Sequence, residues 1–198
     1  DIDGVIVFTY AYSWTIDGNP ISASSSSLES TQFDRDEEVQ CHVSASDGTS
    51  YGADTSSNAV TVLNTAPEVI GISFSPSTVY TNDVLTVSIT TADADGDTVL
   101  GGYAWYINGT SVAASGETLS GLAFFERDDE ITVTVTPFDG TDLGTPLGSD
   151  PIIVQNTPPD APGISITPPE PVAFVDDMLC QIDTESTDAD GDAVTYSL

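Results

Sequence analysis

Two acidic pentads carry the clearest chemistry in this sequence. Residues 93–97 read Asp-Ala-Asp-Gly-Asp, and residues 188–192 repeat the same five letters. Carboxylates at alternate loop positions suit Ca²⁺, a hard cation that takes about six to eight oxygen ligands without strict geometry, whereas Mg²⁺ demands an octahedron. A bound divalent ion would also relieve the repulsion among these acids. Since Asp is equally favoured in solvated turns, a calcium site and a plain acidic turn both stay open.

The pentads are part of a longer repeat. The stretch from Phe33 to Asp36 matches the stretch from Phe125 to Asp128, 92 positions later, and both stretches contain an arginine. The two tryptophans are 91 positions apart, and the linker at 64–67 returns at 156–159. An eroded pentad opens the chain, with Val5 where the third Asp would stand. A period near 92 residues predicts one small domain per repeat in a modular array.

The overall charge excludes several kinds of partner. The 198 residues include 32 acids but only two basic residues other than His, which gives a net charge of −30. Nucleic acid binding needs clustered cations, and an anionic membrane surface would repel this chain, so neither is expected as a partner. No apolar run has the length of a membrane span, and no signal peptide is visible. Acidity, the absence of lysine and abundant Ser and Thr suggest an extracellular location.

Alternating apolar residues predict the elements that position the pentads. Short strands in the complete copy are indicated by Ile70, Ile72 and Phe74, by residues 84–90, by Val99, Gly101, Tyr103, Trp105 and Ile107, by Ile131, Val133 and Val135, and by Ile152 and Val154. The first copy repeats the aromatic face as Phe8, Tyr10, Tyr12, Trp14 and Ile16. Asp17-Gly18 and Asn108-Gly109 are typical of tight hairpin turns. With no convincing helical period, the fold class is predicted as all-β, a two-sheet β-sandwich.

The repeat boundaries predict one whole domain and two partial ones. Residues 1–63 are expected to be the C-terminal part of a repeat that lacks its first two strands, 64–155 a complete repeat, and 156–198 the N-terminal part of a third repeat. Partial sandwiches expose apolar faces and open strand edges. We therefore expect the partner to be the protein itself, either as neighbouring repeats of a longer chain or as subunits that donate strands head to tail.

One observation favours the longer chain over strand donation. Residues 1–12 and 188–198 are alternative versions of the same loop and strand start, so both would compete for one place if strands were donated. Proline in the linkers stiffens either arrangement.

The motifs resemble a known group of proteins. Asp-x-Asp-Gly-Asp followed by a Tyr-x-Trp strand and an Asn-Gly turn is similar to the tandem immunoglobulin-like, PKD-like and cadherin-like repeats of bacterial and archaeal surface proteins, and the resemblance covers the whole chain. It implies tandem immunoglobulin-like sandwiches in a linear array, as in surface stalks, adhesins or fibres. It implies no enzymatic activity.

The resemblance also implies where the acidic loops meet. In such a fold they gather at the joints between repeats, where Ca²⁺ would lock adjacent domains. The candidate ligands are, at the first joint, Asp93, Asp95, Asp97, Asp139 and Asn64, and at the second joint, Asp188, Asp190, Asp192 and Asn156. Acids of the preceding repeat are expected to approach them: Asp34, Asp36 and Glu37 at the first joint, and Glu126, Asp128 and Asp129 at the second.

The two cysteines fall on strands that an immunoglobulin-type sandwich often bridges. Cys41 lies on the predicted sixth strand of one repeat and Cys180 on the second strand of another, so each partial repeat carries one half of a cross-core pair. The resemblance therefore implies a disulfide between Cys41 and Cys180 of neighbouring units. Two buried free thiols are the alternative.

Taken together, these features predict a non-enzymatic extracellular structural protein that forms a fibre, filament or stalk. The alternatives are spacer repeats of a calcium-dependent surface adhesin and an accessory module of a secreted hydrolase. Catalytic residues are not predicted, because the only histidine, His42, is expected to face solvent and has no evident nucleophile. Asn108 heads an Asn-Gly-Thr sequon on a hairpin and is a candidate for glycosylation.

Overall fold

The computed structural model describes residues 9–197, and nearly all of its regular elements are strands. The first five strands are β1 Thr9–Ile16, β2 Asn19–Ile21, β3 Glu38–Ser46, β4 Thr55–Ser56 and β5 Val60–Thr61. The others are β6 Glu68–Ser75, β7 Val79–Tyr80, β8 Val84–Ala92, β9 Leu100–Ile107, β10 Thr110–Ser111, β11 Thr118–Ser120, β12 Glu130–Phe138, β13 Leu147–Gly148, β14 Ile152–Gln155, β15 Gly163–Thr167 and β16 Leu179–Thr184.

The helical content of the described residues is very small. A 3₁₀ turn, Ser30–Gln32, and one helical turn, α1 Gly121–Phe124, make it up. Among residues 9–197, no helix has the length and apolar character needed to cross a bilayer.

Backbone contacts divide the chain into two units. Among the described residues, unit 1 contains 9–67, 93–99 and 139–143, and unit 2 contains 68–92, 100–138 and 144–197.

Unit 2 contains a two-sheet sandwich. One sheet has the order β11-β8-β6, and the other has the order β10-β9-β12-β14-β7, with β13 added beside β12. Buried side chains from both sheets, among them Leu85, Trp105, Val133 and Val154, form one core. This grouping of strands is that of an immunoglobulin-like sandwich, in which the first two strands lie opposite the third, sixth and seventh. The all-β, β-sandwich prediction is confirmed.

Trp105 on β9 lies in this core, as predicted. Trp105 is completely buried, its indole Nε1 donates to the Gly116 carbonyl at 3.0 Å, and the Phe74 ring lies 6.0 Å away. The tight turn after β9 is also confirmed, because Asn108 and Gly109 both have positive φ, at 50° and 76°. Such angles at both central residues are those of the hairpin turns that Asn-Gly favours.

The first strand of this repeat is present as predicted, but its alternating residues do not form one buried face. Ile70 is 60% exposed, and its neighbour Val69 is buried. The pairing of β6 with β8 shifts register between Val69 and Gly71. A bulge adds one residue to one strand, so the alternation of faces changes phase at that point.

Unit 1 has a single sheet in the order β2-β1-β3-β4, with β5 also beside β3. Trp14 on β1 faces Cys41 on β3, as Trp105 faces Val133 in unit 2. One face of this sheet forms an open groove, which we call the apolar groove, lined by Trp14, Leu28, Phe33, Val39, Cys41, Ser57, Asn58, Val60 and Val62. The prediction for Phe8 lies outside the described residues.

Residues 163–184 contribute one hairpin to unit 2. Strands β15 and β16 pair antiparallel, and every residue of β16 is exposed. Residues 9–197 provide no third strand for this small sheet.

Candidate functional site

Each arginine projects from a rigid turn that ends one repeat. Around Arg127, the Glu126 backbone N–H donates to the Asp129 carboxylate at 2.8 Å, and the Asp128 N–H donates to the Val154 carbonyl at 3.0 Å. Asp128 has a positive φ of 70°, a conformation that Asp tolerates better than most residues. The same turn surrounds Arg35, where the Asp34 N–H donates to Glu37 at 2.7 Å and Asp36 has φ 68°.

Both guanidinium groups bind an asparagine and an aspartate, which occupy equivalent positions in the repeat that follows each arginine. Arg35 donates to Asn64 Oδ1 at 2.6 Å and forms an ion pair with Asp97. Arg127 donates to Asn156 Oδ1 at 2.7 Å and forms an ion pair with Asp192. We call these groups the first clasp, Arg35 with Asn64 and Asp97, and the second clasp, Arg127 with Asn156 and Asp192.

Beside each clasp, a further hydrogen bond holds the acidic loop against the linker. Asp95 Oδ2 accepts the backbone N–H of Thr65 at 2.6 Å, and Asp190 Oδ2 accepts that of Thr157 at 2.6 Å. The first Asp of each pentad closes the loop on itself, because its Oδ1 accepts two N–H groups of the same pentad. The pentads therefore serve as hydrogen-bonded connectors in both places.

The structure brings most of the predicted first-joint ligands together. One oxygen each of Asp93, Asp97 and Asp139 lies within 4.8 Å of the others. Asn64 joins this group by donating to Asp139 at 2.8 Å, and it also reaches Asp142 at 2.9 Å. At the second joint, oxygens of Asp188, Asp190 and Asp192 form a similar cluster, and Asn156 contacts Arg127.

The fit of a cation to these residues differs between the two clusters. Asp93 Oδ2 is buried without a hydrogen-bond partner, so the first cluster has a carboxylate oxygen whose lost hydration nothing replaces. In the second cluster, the carboxylates of Asp188, Asp190 and Asp192 all take part in hydrogen bonds. The first cluster therefore fits a hard cation better, although Arg35 already neutralises Asp97 there.

Arg35 and Arg127 are the functional residues that sequence reasoning missed. Acidic residues of the turns were expected to approach the pentads, but the arginine between them makes the contact. The signal was present: the chain has only two cationic side chains of the Lys/Arg type, and they occupy the same position in successive repeats.

Local hydrogen bonds shift the acidity of two carboxyl groups at the joints. The Asn64 side chain, with backbone N–H groups of Asp142 and Thr141, lowers the pKa of Asp139. The pKa of Asp190 is lowered by the nearby Thr81 hydroxyl, then by the Thr157 N–H and the charge of Arg127. Thr81 Oγ1 is buried and has no hydrogen-bond partner. The hydroxyl therefore acts on the pKa of Asp190 through its dipole and not through a formed hydrogen bond.

Both cysteines are free thiols. Cys41 is partly buried and lines the apolar groove, and Cys180 is exposed on β16. Their predicted link to a neighbouring unit stays a prediction.

The sequon asparagine has a structural role in its turn. Asn108 is exposed, its Nδ2 donates to Asp129 at 2.6 Å, and its Oδ1 accepts the Glu130 N–H at 2.9 Å. Asp17 holds the equivalent turn of unit 1 by accepting the Glu38 N–H at 2.9 Å. Glycosylation of Asn108 stays a prediction.

His42 has more contacts than its predicted solvent-facing position implies. Its Nε2 lies 3.0 Å from the Thr15 hydroxyl, while Nδ1 is 2.9 Å from Ser56 Oγ and 3.6 Å from Asp54. If the Thr15 hydroxyl acted as a nucleophile with His42 as its base, free N–H groups would be needed nearby to stabilise an oxyanion. Thr15 lies within β1, which pairs with β2 on one side and β3 on the other, so this cluster has the character of a surface hydrogen-bond network.

Comparisons with known proteins give a limited result. No protein family and no curated protein matches this sequence. Among solved structures, the chain is similar to the chicken CNTN1 FN1-FN3 domains, with 12% identity and a TM-score of 0.33. The match covers 75% of this chain and 56% of that one, so the chain spans just over half of that structure. The β-sandwich is evident from the strand pairing and the core of the chain itself.

Proposed function

We propose that this chain is part of a non-enzymatic extracellular structural protein, in which immunoglobulin-like repeats joined head to tail form a fibre, filament or stalk. The recurrence of the clasp is the observation that carries the proposal. Both arginines perform the same task, each tying a turn of one repeat to the linker and acidic loop of the next. Repeated, directional joints are what a linear array requires.

The clasps favour a fixed orientation over a strong bond. Both arginines remain partly exposed, and ion pairs in contact with water contribute little to stability on their own. Their geometry is nevertheless specific, because a guanidinium group has a planar array of donors and projects here from a hydrogen-bonded turn. Proline in each linker restricts the same joint further.

The charge of the chain supports an extracellular, extended role. A net charge of −30 keeps neighbouring molecules apart and opposes collapse of one repeat onto another. Resemblance to the PKD-like and cadherin-like repeats of bacterial and archaeal surface proteins points the same way.

The second clasp offers a direct test, since all of its residues lie in unit 2. Arg127→Gln removes the charge that binds Asp192. We expect residues 163–184 to tumble more independently of the complete repeat, measured by backbone ¹⁵N relaxation. Asp128→Asn is the matched control, because Asp128 is exposed and its nearest oxygen is 3.7 Å from Arg127 Nε. Unchanged relaxation in Arg127→Gln would contradict the clasp as the source of orientation.

Electron microscopy of the native material separates the structural role from its main alternative. Uniform long fibres are expected for a filament. Isolated rods with a distinct head would instead identify the repeats as spacers of an adhesin.

A calcium-dependent spacer is the second candidate, and the unpartnered Asp93 oxygen favours it. Asp93, Asp97 and Asp139 would hold Ca²⁺, which would neutralise their crowded charge and link the acidic loop to the turn at Asp139. At low ionic strength, Ca²⁺ should bind by calorimetry and a chelator should lower the melting temperature. Asp93→Asn should abolish the binding, whereas Asp142→Asn, which alters a neighbouring carboxylate outside the triad, should preserve it. No heat of binding with millimolar Ca²⁺ would exclude this candidate.

A further inference from the structure

We propose that Asn108 is a positioning residue of the second clasp, which it supports through the carboxylate of Asp129. This role rests on the proposed function, because it concerns the turn from which Arg127 reaches the next repeat. The side chain of Asn108 binds Asp129 and Glu130, both in the same repeat as itself. Any effect of Asn108 on the next repeat therefore passes through the turn that contains Arg127.

That turn is closed at both ends by Asp129. The backbone N–H of Asp129 donates to the Glu126 carbonyl at 3.2 Å, and its Oδ2 accepts the Glu126 N–H at 2.8 Å. Two backbone bonds of 3.0 Å join the turn to β14, one from the Asp128 N–H to the Val154 carbonyl and one from the Val154 N–H to the Asp129 carbonyl. Since Arg127 lies inside this closed turn, its direction depends on how firmly the Asp129 side chain is held.

Asn108 holds the second oxygen of that carboxylate. Its Nδ2 donates to Asp129 Oδ1 at 2.6 Å, while Asp129 Oδ2 binds Glu126. With a donor on each oxygen, the carboxylate group cannot rotate without breaking at least one of these bonds. Hydrogen bonds to an ionised group are also stronger than those between neutral groups. The Asn108 amide therefore fixes the side chain that closes the turn.

Asn108 is itself fixed against the start of β12. Its backbone N–H donates to the Glu130 carbonyl at 2.8 Å, and its Oδ1 accepts the Glu130 N–H at 2.9 Å. Its φ of 50° belongs to the tight hairpin turn that it forms with Gly109. Asn is favoured in such turns because its short side chain reaches nearby backbone groups. A rigid amide thus connects the hairpin after β9 to the turn that projects Arg127.

The first repeat has the same turn without this connection. Asp17 stands at the position of Asn108, and Glu37 stands at the position of Asp129. Glu37 closes its turn by accepting the Asp34 N–H at 2.7 Å. An ionised carboxylate has no N–H to donate, so Asp17 cannot make the bond that Asn108 makes. Because the turn forms in both repeats, the Asn108 bond adds rigidity to the second clasp and is not needed to create it.

Asn108→Asp removes the donor with the smallest change in shape. The new carboxylate can still accept the Glu130 N–H, but it lies against the Asp129 carboxylate and repels it. We expect the Thr157 amide to exchange with deuterium about three- to tenfold faster, the factor that corresponds to the net effect of one hydrogen bond. The interior amides of β9 and β12 should not change, which shows that the sandwich remains folded.

Thr110→Val is the matched control. It removes the hydroxyl of the Asn-Gly-Thr sequon and keeps a β-branched side chain, while the Asn108 amide and its bonds remain. Exchange at Thr157 should be the same as in the unmodified chain. An equal acceleration in Thr110→Val and Asn108→Asp would assign the effect to the sequon and would overturn the role of the hydrogen bond.

A double variant tests the bond by restoring it. In Asn108→Asp/Asp129→Asn, the amide and the carboxylate exchange places. The amide at position 129 can donate to the carboxylate at position 108 and accept the Glu126 N–H, so each hydrogen bond of the network has a counterpart. Exchange at Thr157 should therefore return to that of the unmodified chain. Exchange that stays as fast as in Asn108→Asp would count against the proposal.

Combination with Arg127→Gln separates positioning from general stabilisation. If Asn108 acts through Arg127, Asn108→Asp should have no further effect on Thr157 in the Arg127→Gln background, because the contact that it supports is already lost. Additive effects would show that Asn108 influences the linker independently of the clasp, and the proposal would be wrong.

The single variants also distinguish this inference from the proposed function. If Arg127→Gln accelerates exchange at Thr157 and Asn108→Asp does not, the second clasp stands and Asn108 has no part in it. If neither variant changes exchange at Thr157, the clasp and its positioning residue are both refuted.

Discussion

A pair of equivalent phenylalanines offers a sensitive test of the uncovered sheet. Phe125 and Phe33 are 92 positions apart, and each lies two positions before the arginine of its repeat. Phe125 is 2% exposed within the core of the complete sandwich, whereas Phe33 is only partly buried and lines the apolar groove. Replacing each by alanine removes the same atoms from two different environments.

The expected costs differ because only one site encloses a cavity. Phe125→Ala should lower the free energy of unfolding by about 3–5 kcal/mol, the usual range for a buried phenylalanine. At Phe33 the space left behind is open to water, so only a partial transfer term is lost, about 1–2 kcal/mol. A difference of roughly 2 kcal/mol corresponds to about a 30-fold difference in the unfolding equilibrium constant.

The two tryptophans allow each effect to be measured separately. Trp14→Phe leaves Trp105 as the only indole and reports on the complete sandwich, and Trp105→Phe leaves Trp14 to report on unit 1. Urea unfolding followed by fluorescence, at a protein concentration where the chain is monomeric, gives both free energies. Costs that agree within about 0.5 kcal/mol would show that Phe33 is as well packed as Phe125, and would refute the uncovered sheet.

Three further predictions follow from individual groups and from the total charge. Gly121→Ala should destabilise the sandwich by about 1–3 kcal/mol in urea unfolding, because a Cβ there would lie 2.8 Å from the Asn82 backbone nitrogen, whereas Gly148→Ala, with open space around it, should be neutral. Raising NaCl from about 0.01 to 1 M should increase the melting temperature, because screening relieves self-repulsion at a net charge of −30; a decrease would show that the clasps dominate. Acidification should loosen the joints: Asp139 and Asp190 have lowered pKa values, so their stabilisation is present above the ordinary Asp value near 3.9 and is lost as pH falls through the lower folded values, as NMR titration of both carboxyls should show.

Local sequence patterns predicted the strands, turns and fold class well. The alternation around Trp105 and the Asn108-Gly109 turn determine local backbone geometry, so both could be read without knowledge of the partner strands. The phase change at Val69 could not, because a bulge depends on the pairing between two strands. Periodicity within one strand contains no information about such an insertion.

The joints were predicted in place but not in chemistry. The pentads do lie beside the linkers, as Asp95 and Thr65 show, yet the acids were expected to meet other acids. A single arginine reaches its carboxylate over 62 positions, from Arg35 to Asp97, and that pairing depends on the folded turn that projects it. Counting the rare residue type, rather than the abundant one, would have identified the contact.

Hydrogen–deuterium exchange in Arg127→Gln tests the central claim most directly. If the second clasp holds one repeat against the next, amides of Thr157 and of residues 188–192 should exchange faster in Arg127→Gln than in the unmodified chain. Amides of β9 and β12, inside the sandwich, should not change. Exchange at Thr157 and at 188–192 that is the same in both proteins would contradict the account.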